Sequence, residues 1–146
     1  MTCAPKHGAA HTEEVKDMED PIYKIRVSML WIYMAVAMSA HSVLAFMEPG
    51  MMEQMAAMQM SAGMMVFLAL FWLAPLTMAF LSVTLKDSAN RLANMIMGIV
   101  FTALNIFHLS EHLAHPSAQQ LLIIGSTVVV TALVAWYAWK WPKQEV

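Results

Sequence analysis

The densest chemistry in this 146-residue chain is the run His108-Leu-Ser-Glu111-His112-Leu-Ala-His115. On a helix, residues three and four apart share a face, so His108 and His112 point the same way. Asn105 lies one turn before them and His115 one turn after. Two imidazoles at that spacing can hold one metal ion, and neutral imidazole suits both zinc and copper. The His-x-x-Glu-His string also matches the inverted zinc-peptidase pattern. No distant third ligand is identifiable in the sequence, so binding rather than peptide hydrolysis is the chemistry expected, and no catalytic residue is assigned.

A second stripe complements the first. Met34, Met38, His41, Ala45 and Glu48 recur at i, i+4, i+7, i+11 and i+14, which is one face of a helix. Between Met47 and Met65 the chain reads MEPGMMEQMAAMQMSAGMM, eight methionines in nineteen residues, with Glu48 and Glu53 among them. Thioethers are soft donors that select Cu(I), and Met55 and Met58 are three apart. Methionine is also a flexible apolar filler, and Met29, Met78, Met95 and Met97 show its use elsewhere in the chain. The candidate metal-binding set is therefore His41, His108, Glu111, His112, His115, Glu48, Met38, Met55 and Met58. Cys3, His7 and His11 form a separate, weaker grouping in the N-terminal tail.

These residues must be positioned by helices that lie in lipid. Hydrophobic residues make up 60% of the chain and charged ones 12%, against about 25% charged in a soluble domain. That balance excludes a disordered chain. The single cysteine excludes an internal disulfide, and a net charge of −2 gives no footing for nucleic acid. Residues 1–22 are polar, lack the apolar stretch of a signal peptide, and read as a tail or a short surface helix. Four apolar segments follow, at about 27–47, 61–81, 92–113 and 120–139, with residues 143–146 as a second tail. Each is near the ~20 residues needed to cross a ~30 Å hydrocarbon core. Their continuous apolarity argues for helices rather than barrel strands. Short connections at Pro49-Gly50, Asp87-Ser88-Ala89-Asn90 and His115-Pro116-Ser117 predict an all-α, up-down-up-down four-helix bundle spanning residues 23–142.

All eight Lys and Arg residues fall before the first span, in the second connection or after the fourth span. The positive-inside rule then predicts that both termini are cytoplasmic, in a bacterial inner membrane. Trp136, Tyr137, Trp139 and Trp141 would form an interfacial belt on that side. The outer half keeps His41, Glu48, Glu53, His108, Glu111, His112 and His115, with no basic residue. At 1.5 Å per residue His41 lies ~21 Å along its span and His108 ~24 Å along the third, so the two should meet at similar depth. Ionisable groups inside a span are costly and mark function by default.

Leu30-Trp31-Ile32, Met47-Glu48-Pro49-Gly50, Asn90-Arg91-Leu92-Ala93-Asn94 and Trp136-Tyr137-Ala138-Trp139-Lys140-Trp141-Pro142 together resemble a family of small four-span bacterial membrane proteins whose domain has no assigned function. The resemblance covers about residues 24–142. It implies a four-helix membrane bundle and supplies no activity; the histidine stripe and methionine run lie outside its pattern.

Three functions are therefore expected to compete. The first is a non-enzymatic protein holding copper or zinc on the outer side. The second is an oligomeric structural or accessory subunit, its histidines serving packing or pH response. In the third, His41 and His108 are axial ligands to a haem.

Overall fold

The computed structural model describes the backbone of residues 7–113 and 116–141 and the side chains of residues 21–113 and 116–141. The described chain is helical throughout: α1 (His7–Phe46), α2 (Met51–Ala57), α3 (Ala62–Thr84), α4 (Asp87–His112) and α5 (Ala118–Lys140). Four stretches are long and apolar enough to cross a membrane: Pro21–Phe46, Ala62–Thr84, Asp87–His112 and Ala118–Lys140. They agree with the expected spans within a few residues, except that the first begins earlier. The segment expected to be a separate tail up to residue 22 continues into the first span as one helix from His7.

Local chemistry explains the breaks. Gly50 takes φ +81°, a left-handed conformation that costs glycine nothing, and so turns the chain from α1 into α2. The Ser61 hydroxyl caps α3 by accepting from the Met64 amide at 3.2 Å. The short α2 is an addition to the four expected helices, and none of its residues is buried.

α1 packs against α3 and α5, and α4 packs against α5. Two kinds of contact fix these pairings. At the α4–α5 crossing Gly98 is buried, and a Cβ placed there would stand 2.8 Å from the backbone nitrogen of Ala135. Glycine at that point lets the two backbones approach. The second contact is a buried polar joint among α1, α3 and α4. Asn94 Oδ1 accepts from the Trp31 indole at 2.7 Å and lies 3.0 Å from Ser82 Oγ. Its Nδ2 donates to Asn90 Oδ1 at 2.6 Å, and Asn90 Nδ2 donates to the Ser82 carbonyl at 2.6 Å. Ser28 Oγ adds a bond to the Ala79 carbonyl at 2.9 Å. Such groups must be satisfied internally, because lipid offers no partner.

Below this joint the ends are held by charge and aromatic contact. Lys24 Nζ pairs with Asp87 Oδ1 at 2.7 Å, and Arg91 Nε donates to the Ala138 carbonyl at 3.2 Å. The expected aromatic belt divides in two. Trp136 and Trp139 are exposed, whereas Trp141 is 2% exposed and packs on Tyr23 with ring centroids 5.7 Å apart.

α3 and α4 are joined by only two residues yet meet along a short length. The buried residues of α3 are Pro75, Met78, Ala79 and Ser82, all in its second half, and every residue from 61 to 70 is exposed. Phe71 reaches Phe101 of α4 with centroids 5.3 Å apart, and beyond that contact the two helices part.

Gly98→Ala should lower the thermal midpoint of the protein in detergent, costing about 1–3 kcal/mol as overpacking against an immovable backbone does. Gly125→Ala should not lower the midpoint and should raise it slightly, since a Cβ there meets nothing within 4 Å and glycine inside a helix costs about 0.5–1 kcal/mol relative to alanine. Differential scanning fluorimetry on both variants checks this.

Candidate metal centre

The centre is built from the last turns of α1 and α4. His41 follows Met34 and Met38 on the buried face of α1; these residues are 7%, 0% and 7% exposed. On α4 the inward face carries Asn94, Gly98, Phe101 and Asn105, and the same 3–4 spacing continues to His108 and His112. Because α1 and α4 reach the same level, His41 Nε2 lies 3.2 Å from His108 Nε2 across 67 residues of sequence. The third imidazole closes the group. The ring centroids of His112 are 5.2 Å from His41 and 4.8 Å from His108. One ligand nitrogen from each of the three lies within 4.8 Å of the others.

Four nitrogens placed tetrahedrally at 2.0–2.1 Å from a zinc or copper ion lie about 3.3 Å from one another. The 3.2 Å approach of His41 and His108 matches one edge of that figure. Bringing the third nitrogen onto the same ion means closing a separation of up to 4.8 Å by about 1.5 Å. His41 Nδ1 is buried and has no hydrogen-bond partner among the described residues. A neutral imidazole has two ring nitrogens to satisfy, and the His108 contact serves one of them. Asn105 Oδ1, one turn from His108, is likewise buried without a partner among the described residues.

The other candidates divide. Met38 lies beside His41 on the wall of a cleft of about 360 Å³, and Glu111 lines the same cleft while remaining exposed. Glu48 turns towards the start of α5, where Gln119 Nε2 donates to its Oε1 at 3.2 Å. Hydrogen bonds from Gln120, then Ser117, and further from Gln119 hold its carboxyl below the usual carboxylate range, against the opposing effect of desolvation. Met55 lies on α2 and Met58 just after it, and neither lines the histidine cleft. His115 lies outside the described residues, as does the side-chain geometry of Cys3, His7 and His11.

Sequence reasoning did not find the Gln119–Gln120 partners of Glu48 or the aromatic walls of the cleft. The walls left a signal in Phe67, Phe71 and Trp72, which share a face at i, i+4 and i+5. Continuous apolarity hid it, since any span supplies such residues.

No family model, curated protein or solved structure matches the chain.

Glu48 gives this end of the molecule an acid sensitivity whose sign is fixed. A carboxyl held below its ordinary value contributes stability above the unfolded-state value of 4.5, and that contribution is lost as pH falls through the lower folded-state value. Thermal melts between pH 6 and pH 3 should therefore show stability falling below about pH 4.5. Glu48→Gln should show a shallower fall over the same interval.

Proposed function

We propose that this protein is a non-enzymatic, metal-binding membrane protein that holds copper or zinc at His41, His108 and His112. One observation carries the reading: three imidazoles from two helices converge within 4.8 Å. They do so in a bundle whose spans contain no lysine or arginine between residues 27 and 85 or between 92 and 139. Imidazole nitrogen is a ligand for both ions, and the adjacent Met38 sulfur adds the soft character that favours Cu(I). Three protein ligands leave a further coordination position, which Met38, Glu111 or a water molecule would fill.

The same reading places the four spans as an up-down-up-down bundle in a bacterial inner membrane, with both termini cytoplasmic. The distribution of basic residues supports this orientation, and so does the meeting of Lys24, Asp87 and Arg91 with the ends of α3 and α5. The metal centre then faces outward. Glu48 and Glu53 give the outer connection its negative charge, and the methionines of α2 offer soft donors to an arriving ion.

A second reading rests on the 3.2 Å approach of His41 and His108, which is also the distance of an imidazole–imidazole hydrogen bond. On that reading the pair joins α1 to α4 in a cofactor-free scaffold or oligomer subunit. It leaves the arrival of His112 beside both rings unexplained. Haem ligation fits poorly, because axial nitrogens on opposite faces of a porphyrin stand about 4 Å apart with the macrocycle between them.

Purified protein equilibrated with copper or zinc and passed through a desalting column should retain about one ion per chain by elemental analysis. The double variant His108→Ala/His112→Ala should retain at least tenfold less while keeping its helical circular dichroism. Equal retention by both proteins, or none by either, would leave the scaffold reading in its place.

Orientation has its own test, because the chain carries a single cysteine. In a Cys3→Ser background, an impermeant maleimide should label Gln54→Cys on intact cells. It should label Ser88→Cys only after lysis. The reverse pattern would invert the bundle.

A further inference from the structure

The parting of α3 and α4 opens a cleft whose inner wall, at His41, His108, Met38 and Glu111, belongs to the metal centre and whose aromatic outer wall the metal reading does not use. Its volume is about 360 Å³, within the range of small-molecule sites. At its lower end Phe71 meets Phe101, and the Asn94 joint lies below that contact. Its walls are Phe67, Phe71 and Trp72 of α3 and Leu104 and Phe107 of α4, and His41 and His108 line it from the bundle interior. Both flanking helices are long and apolar enough to lie in a membrane, so a gap between them would border lipid.

We propose that this cleft binds a neutral, lipid-soluble quinone, its ring between the aromatic walls and a carbonyl oxygen directed at the His41–His108 imidazoles. Charge selects this occupant over the lipids that surround the protein. No lysine or arginine lines the cleft, and the carboxylate of Glu111 does, so a fatty acid or an anionic headgroup would meet repulsion and no partner. A plain acyl chain would offer no further partner to the His41–His108 pair, whose mutual contact serves only one nitrogen of each ring, and an unserved polar group is costly away from water. A quinone carbonyl accepts a hydrogen bond from an imidazole N–H without carrying charge. Four aromatic residues around one small space suit a flat ring, which stacks on their faces or meets their edges. The volume accommodates a substituted ring, and an alkyl or isoprenoid tail would leave through the gap between α3 and α4.

The test uses full-length, chelator-treated protein in detergent, so its outcome is separate from that of the metal experiment. Titration with a decyl-substituted benzoquinone should quench tryptophan fluorescence saturably, and Trp72→Phe should lose the largest part of that quench. Leu104→Trp, which fills the cleft, should weaken binding at least tenfold, and His108→Gln should weaken it several-fold while leaving Leu104→Trp unaffected by the further change. Leu122→Trp, on the exposed outer face of α5, should bind as the parent does. Equal quenching of the parent and Leu104→Trp would mean that the quinone only partitions into the micelle, and would overturn the proposal. So would tight retention of a phospholipid that the quinone does not displace. A dimer that dissociates on Leu104→Trp would instead assign the cleft to a second copy of the chain.

Discussion

The Asn94 carboxamide is the point on which three helices depend. It accepts from the Trp31 indole of α1, lies beside the Ser82 hydroxyl of α3 and donates to Asn90 one turn earlier on its own helix. All four residues are fully buried. In lipid, apolar side chains gain little by exchanging lipid contacts for protein contacts, so satisfied polar groups and close backbone approach decide which helices pair. Asn94 supplies the first and Gly98, one turn further along, supplies the second. Loss of one partner would leave the others buried and unpaired, at a cost of about 1–3 kcal/mol per group.

That joint also determines what happens at the other end of the molecule. It holds α3 to α4 near their two-residue connection, the Phe71–Phe101 contact extends that packing by about two turns, and residues 61–70 of α3 stay exposed. α1 and α4 stay aligned through Trp31, Phe101 and Asn94, with Trp31 and Phe101 packed edge to face at 5.5 Å. Alignment of those two helices is what brings His41 level with His108. The histidine cluster and the cleft beside it therefore share one cause: α1 and α4 are held level, while α3 packs on α1 but meets α4 only over part of its length.

The spans were legible because hydropathy reports them residue by residue, and the connections because proline, glycine and polar residues interrupt it. The depth match of His41 and His108 was legible as well, since rise per residue converts position into height on any straight helix. His112 was harder to place. Its position near the end of α4 is equally consistent with an interfacial residue, and only the direction of the α4 face turns it inward. Glu48 illustrates the converse. Its place on the His41 stripe invited a ligand role, but the amides of Gln119 and Gln120 compete for it from α5, a partner that no sequence spacing connects to α1.

What the sequence by itself determined was class and inventory: four membrane-length apolar helices, all basic residues before the first span, between the second and third or after the fourth, and three acids and four histidines in stretches that hold no basic residue. These follow from composition and order along the chain, because desolvation acts on each residue separately. Which imidazoles meet, which methionines stay apart from them, and where α3 leaves a gap were decided only by tertiary structure. Those outcomes depend on the relative rotation and height of helices up to 67 residues apart. A uniformly apolar helix carries no single stripe that fixes its rotation, so a few buried polar groups and one glycine contact must do so.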